Sequence, residues 1–323
     1  RYLNTAIYAI CLLAPWTLLW LDSQLLFPYT TGKAWTFRSL VELGFALSLF
    51  LRFSPADPDS RYPAWDSWIR IFEYLLAAFI GWTAITNLLG IDLHRSFWSN
   101  WERMGGLMEY LHWGMYLFCL VSAFPPGRRY HLLFNLVAVI ALVSGLGMLD
   151  GKGRSISTLG NPIYLGNLAV LGIFISAFLF AGAPALTTRK IALVLRLLLA
   201  TAILIMLTAM VMSVTRGSVF ALLAGASTSI LILLGNLAWR HSKGAFVALL
   251  CTLLATAALL VSFHAEIQDT LKQTDVKLLQ RIGRISLENQ TTADRLENWS
   301  IAMDAAKSRP LLGWGQELSL IHI

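Results

Sequence analysis

The chain has 323 residues, 57% hydrophobic and 13% charged, with a mean hydropathy of +0.64. Water-soluble domains carry about 25% charged residues, so a soluble globular protein is excluded and an integral membrane protein is implied. The net charge of +7 is spread over many short loops, which fits membrane topology better than a nucleic-acid surface.

A span needs about 20 apolar residues to cross the hydrocarbon core. All backbone polar groups must be paired there, which leaves helices or a closed barrel. The apolar runs are continuous rather than alternating, so they read as helices. After a short polar lead at Arg1, with no cleavable leader evident, about nine spans are expected. Their limits fall near 5–21, 36–53, 68–90, 106–124, 130–149, 164–183, 190–214, 217–238 and 244–263. Turn chemistry breaks them at "SPADPDSRYP" 54–63, "PPGRR" 125–129, "DGKGRS" 150–155 and "APALTTRK" 183–190. The fold class is all-α, a polytopic transmembrane helical bundle. Residues 1–263 would form the membrane domain and 264–323 the start of a large outer loop. Cys11, Cys119 and Cys251 each lie inside an apolar run without metal or disulfide spacing, so they read as small core residues.

With a cytoplasmic N-terminus, the inner loops hold Arg52, Arg61, Arg70, Arg128, Arg129, Arg189, Lys190, Arg240 and Lys243. The outer loops hold Lys33, Arg38, Arg95, Arg103, Lys152, Arg154 and Arg216. The bias follows the positive-inside rule but is slight, so the outer face is unusually cationic.

In chain order, "FPYTTGKAWTFRSL" 27–40 sets Lys33 and Arg38 beside aromatics. "HRSFWSNWERMGGLMEYLHW" 94–113 reads as an interfacial aromatic belt in which Arg103 and His112 are candidate site residues. "STLGNPIYLGN" 157–167 starts a helix at Asn161-Pro162 after a glycine turn. Its polar residues Ser157, Thr158, Asn161 and Asn167 either line a hydrophilic cavity or make an ordinary loop-to-helix junction.

"SVTRGSVF" 213–220 places Arg216 at the start of the eighth span. A helix N-terminus with a guanidinium is an anion site. Gly217 allows close backbone approach, and Thr215 and Ser218 add hydroxyls. The position opposes the helix dipole for a merely structural cation. The competing reading is an arginine that snorkels where the chain leaves the bilayer.

After His264, "AEIQDTLKQTDVKLLQRIGRI" is amphipathic, made either for a membrane surface or for packing in the outer loop. A second helix is expected to start with Asp294 and Glu297 as a capping box, with Leu296, Trp299, Met303 and Ala306 on one side and Pro310 as its stop. That places Arg295 in a first turn, as an anion contact or as a solvated arginine paired with Glu288, Asp294 or Glu297. The ending "LSLIHI" resembles translated adaptor read-through, so the natural chain is expected to continue past about Gln316. No phosphate-binding Gly-Lys-Ser/Thr loop is present, so no ATP-driven pump is indicated.

The ordered set "FPYTTGKAWTFRSLVEL", "SFWSNWERMGG", "STLGNPIYLGN", "TRGS" and an outer loop running from Arg295 through Trp299 to "PLLGWG" resembles the O-antigen ligase/polymerase superfamily, over about residues 5–316. The resemblance implies a polytopic glycosyltransferase of the bacterial inner membrane, with its site facing the periplasm. Such enzymes move a glycan from a polyprenyl diphosphate carrier to a hydroxyl on a glycan, lipid or protein acceptor, without nucleotide sugar, metal or other cofactor. Membrane lipids are the further partners; nucleic acid is not one. On this resemblance Arg216 and Arg295 grip the diphosphate, meeting over the outer leaflet. Thr215, Gly217, Ser218, Asn161, Lys33, Arg38, Arg103 and Arg154 are the expected substrate contacts. The family's histidine base lies beyond the "GWG" element; His322 does not match its motif and takes no role, so this truncated chain should lack its base.

Two rivals come from other classes. A transporter or channel for an anionic or lipid-linked substrate would use the outer cations as an entry vestibule. A metal-dependent transferase would use Asp22 as base, although Asp22 has no acidic neighbour.

Overall fold

The computed structural model describes residues 2–53, 67–100, 102, 104–124, 128–151, 153–186, 188–241 and 290–316, with isolated positions between 244 and 280. The described residues hold α1 (Tyr2–Leu13), a 3-10 turn (Ala14–Leu19), α2 (Thr31–Phe53), α3 (Ser67–Leu88), α4 (Leu93–Trp98), α5 (Leu107–Ala123) and α6 (Arg129–Gly147). A 3-10 turn (Ser157–Leu159), α7 (Pro162–Leu186), α8 (Arg189–Ser213), α9 (Arg216–His241) and α10 (Gln290–Ser308) follow. No strand occurs among the described residues, so the all-α reading holds.

The span count requires correction. Among the described residues, six helical stretches are long and apolar enough to cross a membrane: Tyr2–Leu19, Thr31–Leu51, Ile71–Leu88, Arg129–Gly147, Pro162–Ala183 and Arg189–Ser213. Nine were expected. The span predicted at 106–124 forms a helix of 17 residues, about 26 Å long at 1.5 Å per residue. That is short of a ~30 Å core. The apolar part of α9 runs only over Arg216–Ile232. The span at 244–263 and the amphipathic stretch after His264 lie outside the described residues.

The chain divides into two compact units, residues 1–139 with 290–323, and residues 140–289. In the first, α1, α2 and α5 pack together, and α3 and α4 lean on α5. Ile7, Cys11, Cys119, Ala123 and Phe124 form the core, so Cys11 and Cys119 are small core residues as expected. A methyl on Gly44 would lie 3.1 Å from Ile10 and 3.3 Å from Cys119. The missing side chain is what lets these helices approach. Pro15 ends α1 because it has no N–H for the Cys11 carbonyl. In lipid that carbonyl needs another donor. The Tyr116 hydroxyl donates to it at 3.0 Å, Asn135 donates to Leu12 O at 2.9 Å, and Thr17 to Ala14 O at 2.8 Å.

In the second unit α7 pairs with α8 along its length and α9 packs on α7. Small residues make the seam. A methyl on Gly172 would fall 2.7 Å from Ile140 and closer still to Met206, and one on Gly225 would strike the Phe174 ring. Leu193, Leu197, Leu198 and Leu204 remain exposed on α8, an apolar face of the kind that meets lipid.

Candidate functional site

The turn between α8 and α9 is held from several directions. Val214 ends α8 in the left-handed region, φ 50° and ψ 43°. A β-branched residue there costs on the order of 1–3 kcal/mol. The last carbonyls of a helix have no intrahelical partner, and here they find donors from the 150–157 loop. Arg154 Nε donates to Ser213 O at 3.0 Å and Ser155 N to Met212 O at 3.1 Å. Arg154 Nη2 also reaches Thr215 Oγ1 at 3.3 Å. Thr215 donates to Pro162 O at 3.2 Å, joining the turn to the start of α7. Ser213 Oγ lies 2.7 Å from Met210 O and 3.0 Å from Thr215 Oγ1.

Arg154 sits where the helix dipole favours a cation, at the end of α8. Arg216 is the opposite case. It opens α9 and is half-buried, at the end where the dipole favours an anion. Ser218 is fully buried, its hydroxyl donating to Asn167 Oδ1 at 2.9 Å. Gly217 is exposed, and a methyl there would meet nothing within 4 Å, so the first turn of α9 is open on that side. Asn161 Oδ1 accepts from Ile163 N at 2.8 Å and caps α7, which begins at Pro162 as the sequence predicts. Arg154, Asn161, Thr215, Arg216, Gly217 and Ser218 therefore gather around one turn.

Asp150 organises the loop beside them and went unrecognised in the sequence. Its Oδ2 accepts from Ile156 N at 2.7 Å, Ser157 N at 2.6 Å and Ser155 Oγ at 3.3 Å. It holds Ser157 at φ 53°, a second left-handed residue in the same neighbourhood. An aspartate three residues past the end of α6 looks like any turn former. Nothing local distinguishes one that collects three donors.

In the first unit, Lys33 Nζ donates to Trp20 O at 2.6 Å. Arg38 is buried between α2 and the segment leading into α5. Its Nη2 donates to Met104 O at 2.8 Å and to Glu109 Oε2 at 2.7 Å. Glu109 Oε1 also accepts from Trp113 at 2.9 Å. One turn further along α2, Glu42 Oε1 lies 2.9 Å from Nε2 of the buried His112. Ser99 at φ 64° and Met104 at φ 48° bracket the loop that carries Arg103, and Arg103 itself lies outside the described residues. Asp22 Oδ1 accepts from Gln24 N at 2.9 Å, the local turn usual for this residue type.

Arg295 is exposed on α10. The helix begins at Gln290, four residues before the expected capping box, so Arg295 occupies the second turn rather than the first. The helix dipole has little effect at that position, because it fades beyond one turn. Past Ser308 the chain folds back. Gln316 N donates to Asn87 Oδ1 at 2.9 Å, Gln316 Nε2 to Gly105 O at 2.9 Å, and Ile91 N to Trp314 O at 3.2 Å. Asn87, fully buried, was missed in the sequence because its partner lies 229 positions away. Arg216 belongs to the second unit and Arg295 to the first.

Residues 201–322 match the family model described as O-antigen ligase. That stretch begins within α8 and takes in the Arg216 turn, α9 and α10. No curated protein and no solved structure matches the chain.

Proposed function

We propose that this chain, a member of the O-antigen ligase/polymerase superfamily by the match over residues 201–322, transfers a glycan from a polyprenyl diphosphate carrier to an acceptor hydroxyl at the outer face of the bacterial inner membrane. The match supports O-antigen ligase-type function at the family level, and the donor, acceptor and orientation are proposed from the site. The observation that carries it is the Arg216 turn, with a half-buried guanidinium at an open helix N-terminus and a second guanidinium, Arg154, bonded to the preceding residue.

The chemistry asks little else of these residues. A sugar–diphosphate bond is already activated. As the acceptor oxygen bonds to the anomeric carbon, its proton passes to a base, the part that the resemblance gives to a histidine beyond the "GWG" element; the bond to the diphosphate breaks and negative charge grows on the leaving oxygens. Arg216 and the first N–H groups of α9 meet that charge. Arg154 adds positive potential while its hydrogen bonds keep the turn in shape. Arg295 is the second proposed diphosphate contact. Thr215 and Ser218 act by fixing the turn, since both are buried and hydrogen-bonded. Lys33 and Asn161 are proposed to border the headgroup. Arg38 is turned inward and steadies the loop that carries Arg103.

The test is glycan transfer in reconstituted membranes. Arg216→Ala should lower the transfer rate about 100-fold, the loss typical when one donor to a developing oxyanion is removed. Arg216→Lys should recover only part, because an ammonium lacks the bidentate fork. Wild-type rates in Arg216→Ala would refute the assignment.

A further inference from the structure

The 309–316 segment, folded back on the end of α3, leaves a cavity of about 430 Å³. Thr83 and Thr86 of α3, Tyr110 of α5, Arg309 and Trp314 line it together with the backbone of the returning segment. We propose that this cavity is a glycan subsite, holding a pyranose ring of the sugar chain that the enzyme carries or extends. The inference rests on the glycosyltransferase reading above and adds to it a place and a set of contacts.

The volume falls within the range of small-ligand pockets, roughly 300–1,000 Å³. The wall is mixed in the way a sugar ring requires. Thr83 Oγ1 donates to Phe79 O at 2.8 Å and Thr86 Oγ1 to Thr83 O at 2.9 Å. Each hydroxyl proton is thus committed to the helix, and the oxygen lone pairs remain to accept from sugar hydroxyls. Arg309 stacks over the Trp314 ring at 4.2 Å. Stacking occupies the face of the guanidinium and leaves its in-plane N–H groups as donors to ring and hydroxyl oxygens. Tyr110 supplies an aromatic surface for the C–H side of the ring. Its angle is set by edge contacts to Phe79 and Trp113, with centroids at 5.6 and 5.1 Å.

The site is built in advance. Gly313 and Gly315 have φ of 59° and 107°, which lets the segment curl tightly. A methyl on Gly90 would fall 2.8 Å from Trp314 O, so the segment seats against bare backbone there. The hydrogen bonds from Gln316 and Ile91 then lock it. The charge of the wall selects the occupant. Arg309 is its one charged side chain among the described residues, so a diphosphate would lack a second cation. Two threonine hydroxyls and a run of peptide groups are too polar for an acyl chain.

The probe is the free reducing oligosaccharide released by mild acid from the cell's lipid-linked glycan pool, added to the purified protein. Saturable binding is expected, weakened at least five-fold in Thr83→Val/Thr86→Val and retained in Thr83→Ser/Thr86→Ser, which keeps both hydroxyls. In transfer assays the valine variant should raise KM with little change in kcat. A raised KM for the lipid-linked donor marks a donor subsite; one for the acceptor marks an acceptor subsite. Unchanged binding in the valine variant, or no saturable binding to wild type, overturns the proposal. The two readings fail separately. Full transfer by Arg216→Ala strikes the catalytic reading and leaves glycan binding standing, whereas loss of transfer there with unaltered binding in the valine variant strikes only the subsite.

Discussion

Gly166 of α7 faces both serines of the turn that carries Arg216. A methyl there would lie 3.0 Å from Ser213 Oγ and from Ser218 Cβ, and closer still to Ser218 Oγ. Rotating the Ser218 hydroxyl would relieve one contact but break its bond to Asn167, and the Cβ contact would remain. Gly166→Ala should therefore destabilise the protein by about 1–3 kcal/mol, as overpacking does. It would be read as a lower Tm in detergent, and Ser218→Gly in the same chain should restore much of the loss. At this scale Arg216 was legible, because "TRGS" opening an apolar run is a local pattern. Arg154 was named from the same outer-loop charge, but its hold on Ser213, 59 positions away, was not. A hydrogen bond between distant loops leaves no periodic trace in either one.

Helices α2 and α5 show how an element can hide polar groups within an apolar span. Arg38 and Glu42 are four apart on one, Glu109 and His112 three apart on the other, so each pair shares a face. They meet as two rungs, Arg38 with Glu109 and Glu42 with His112. Nδ1 of His112 is 2.7 Å from Met108 O, an acceptor only, so that nitrogen carries a proton. Glu109→Gln should cost about 3 kcal/mol, because it leaves the Arg38 charge buried beside a carbonyl and a thioether. Chemical unfolding would measure this, and the apolar pair Arg38→Met/Glu109→Leu should be less damaging than the single change. The sequence suggested an aromatic belt here with its span beginning near residue 36. The helix starts at Thr31 instead, because its polar first turn is anchored through Lys33 to Trp20.

Across the whole chain, the docking of residues 314–316 onto the end of α3 limits the topology. Residues 91 and 290 must lie on one side of the membrane, so the crossings between them are even in number. Three candidate spans lie in that interval, Arg129–Gly147, Pro162–Ala183 and Arg189–Ser213. The crossings in that interval beyond these three must therefore be odd in number. With Cys11, Cys119 and Cys251 replaced by alanine, His94→Cys and Asn298→Cys, both exposed sites, should react alike with an impermeant maleimide on sealed spheroplasts. Labelling of one without the other would refute this. The sequence by itself determined the solvent, the helical class and the placing of Arg216 at a helix start. Those follow from composition and from the requirement that backbone groups be paired in lipid. Only the tertiary structure decided which loops close on that turn, which charges are turned inward, and where the segment after α10 is seated. Each of these depends on hydrogen bonds and close packing between residues tens to hundreds of positions apart, and no local pattern along the chain encodes such meetings.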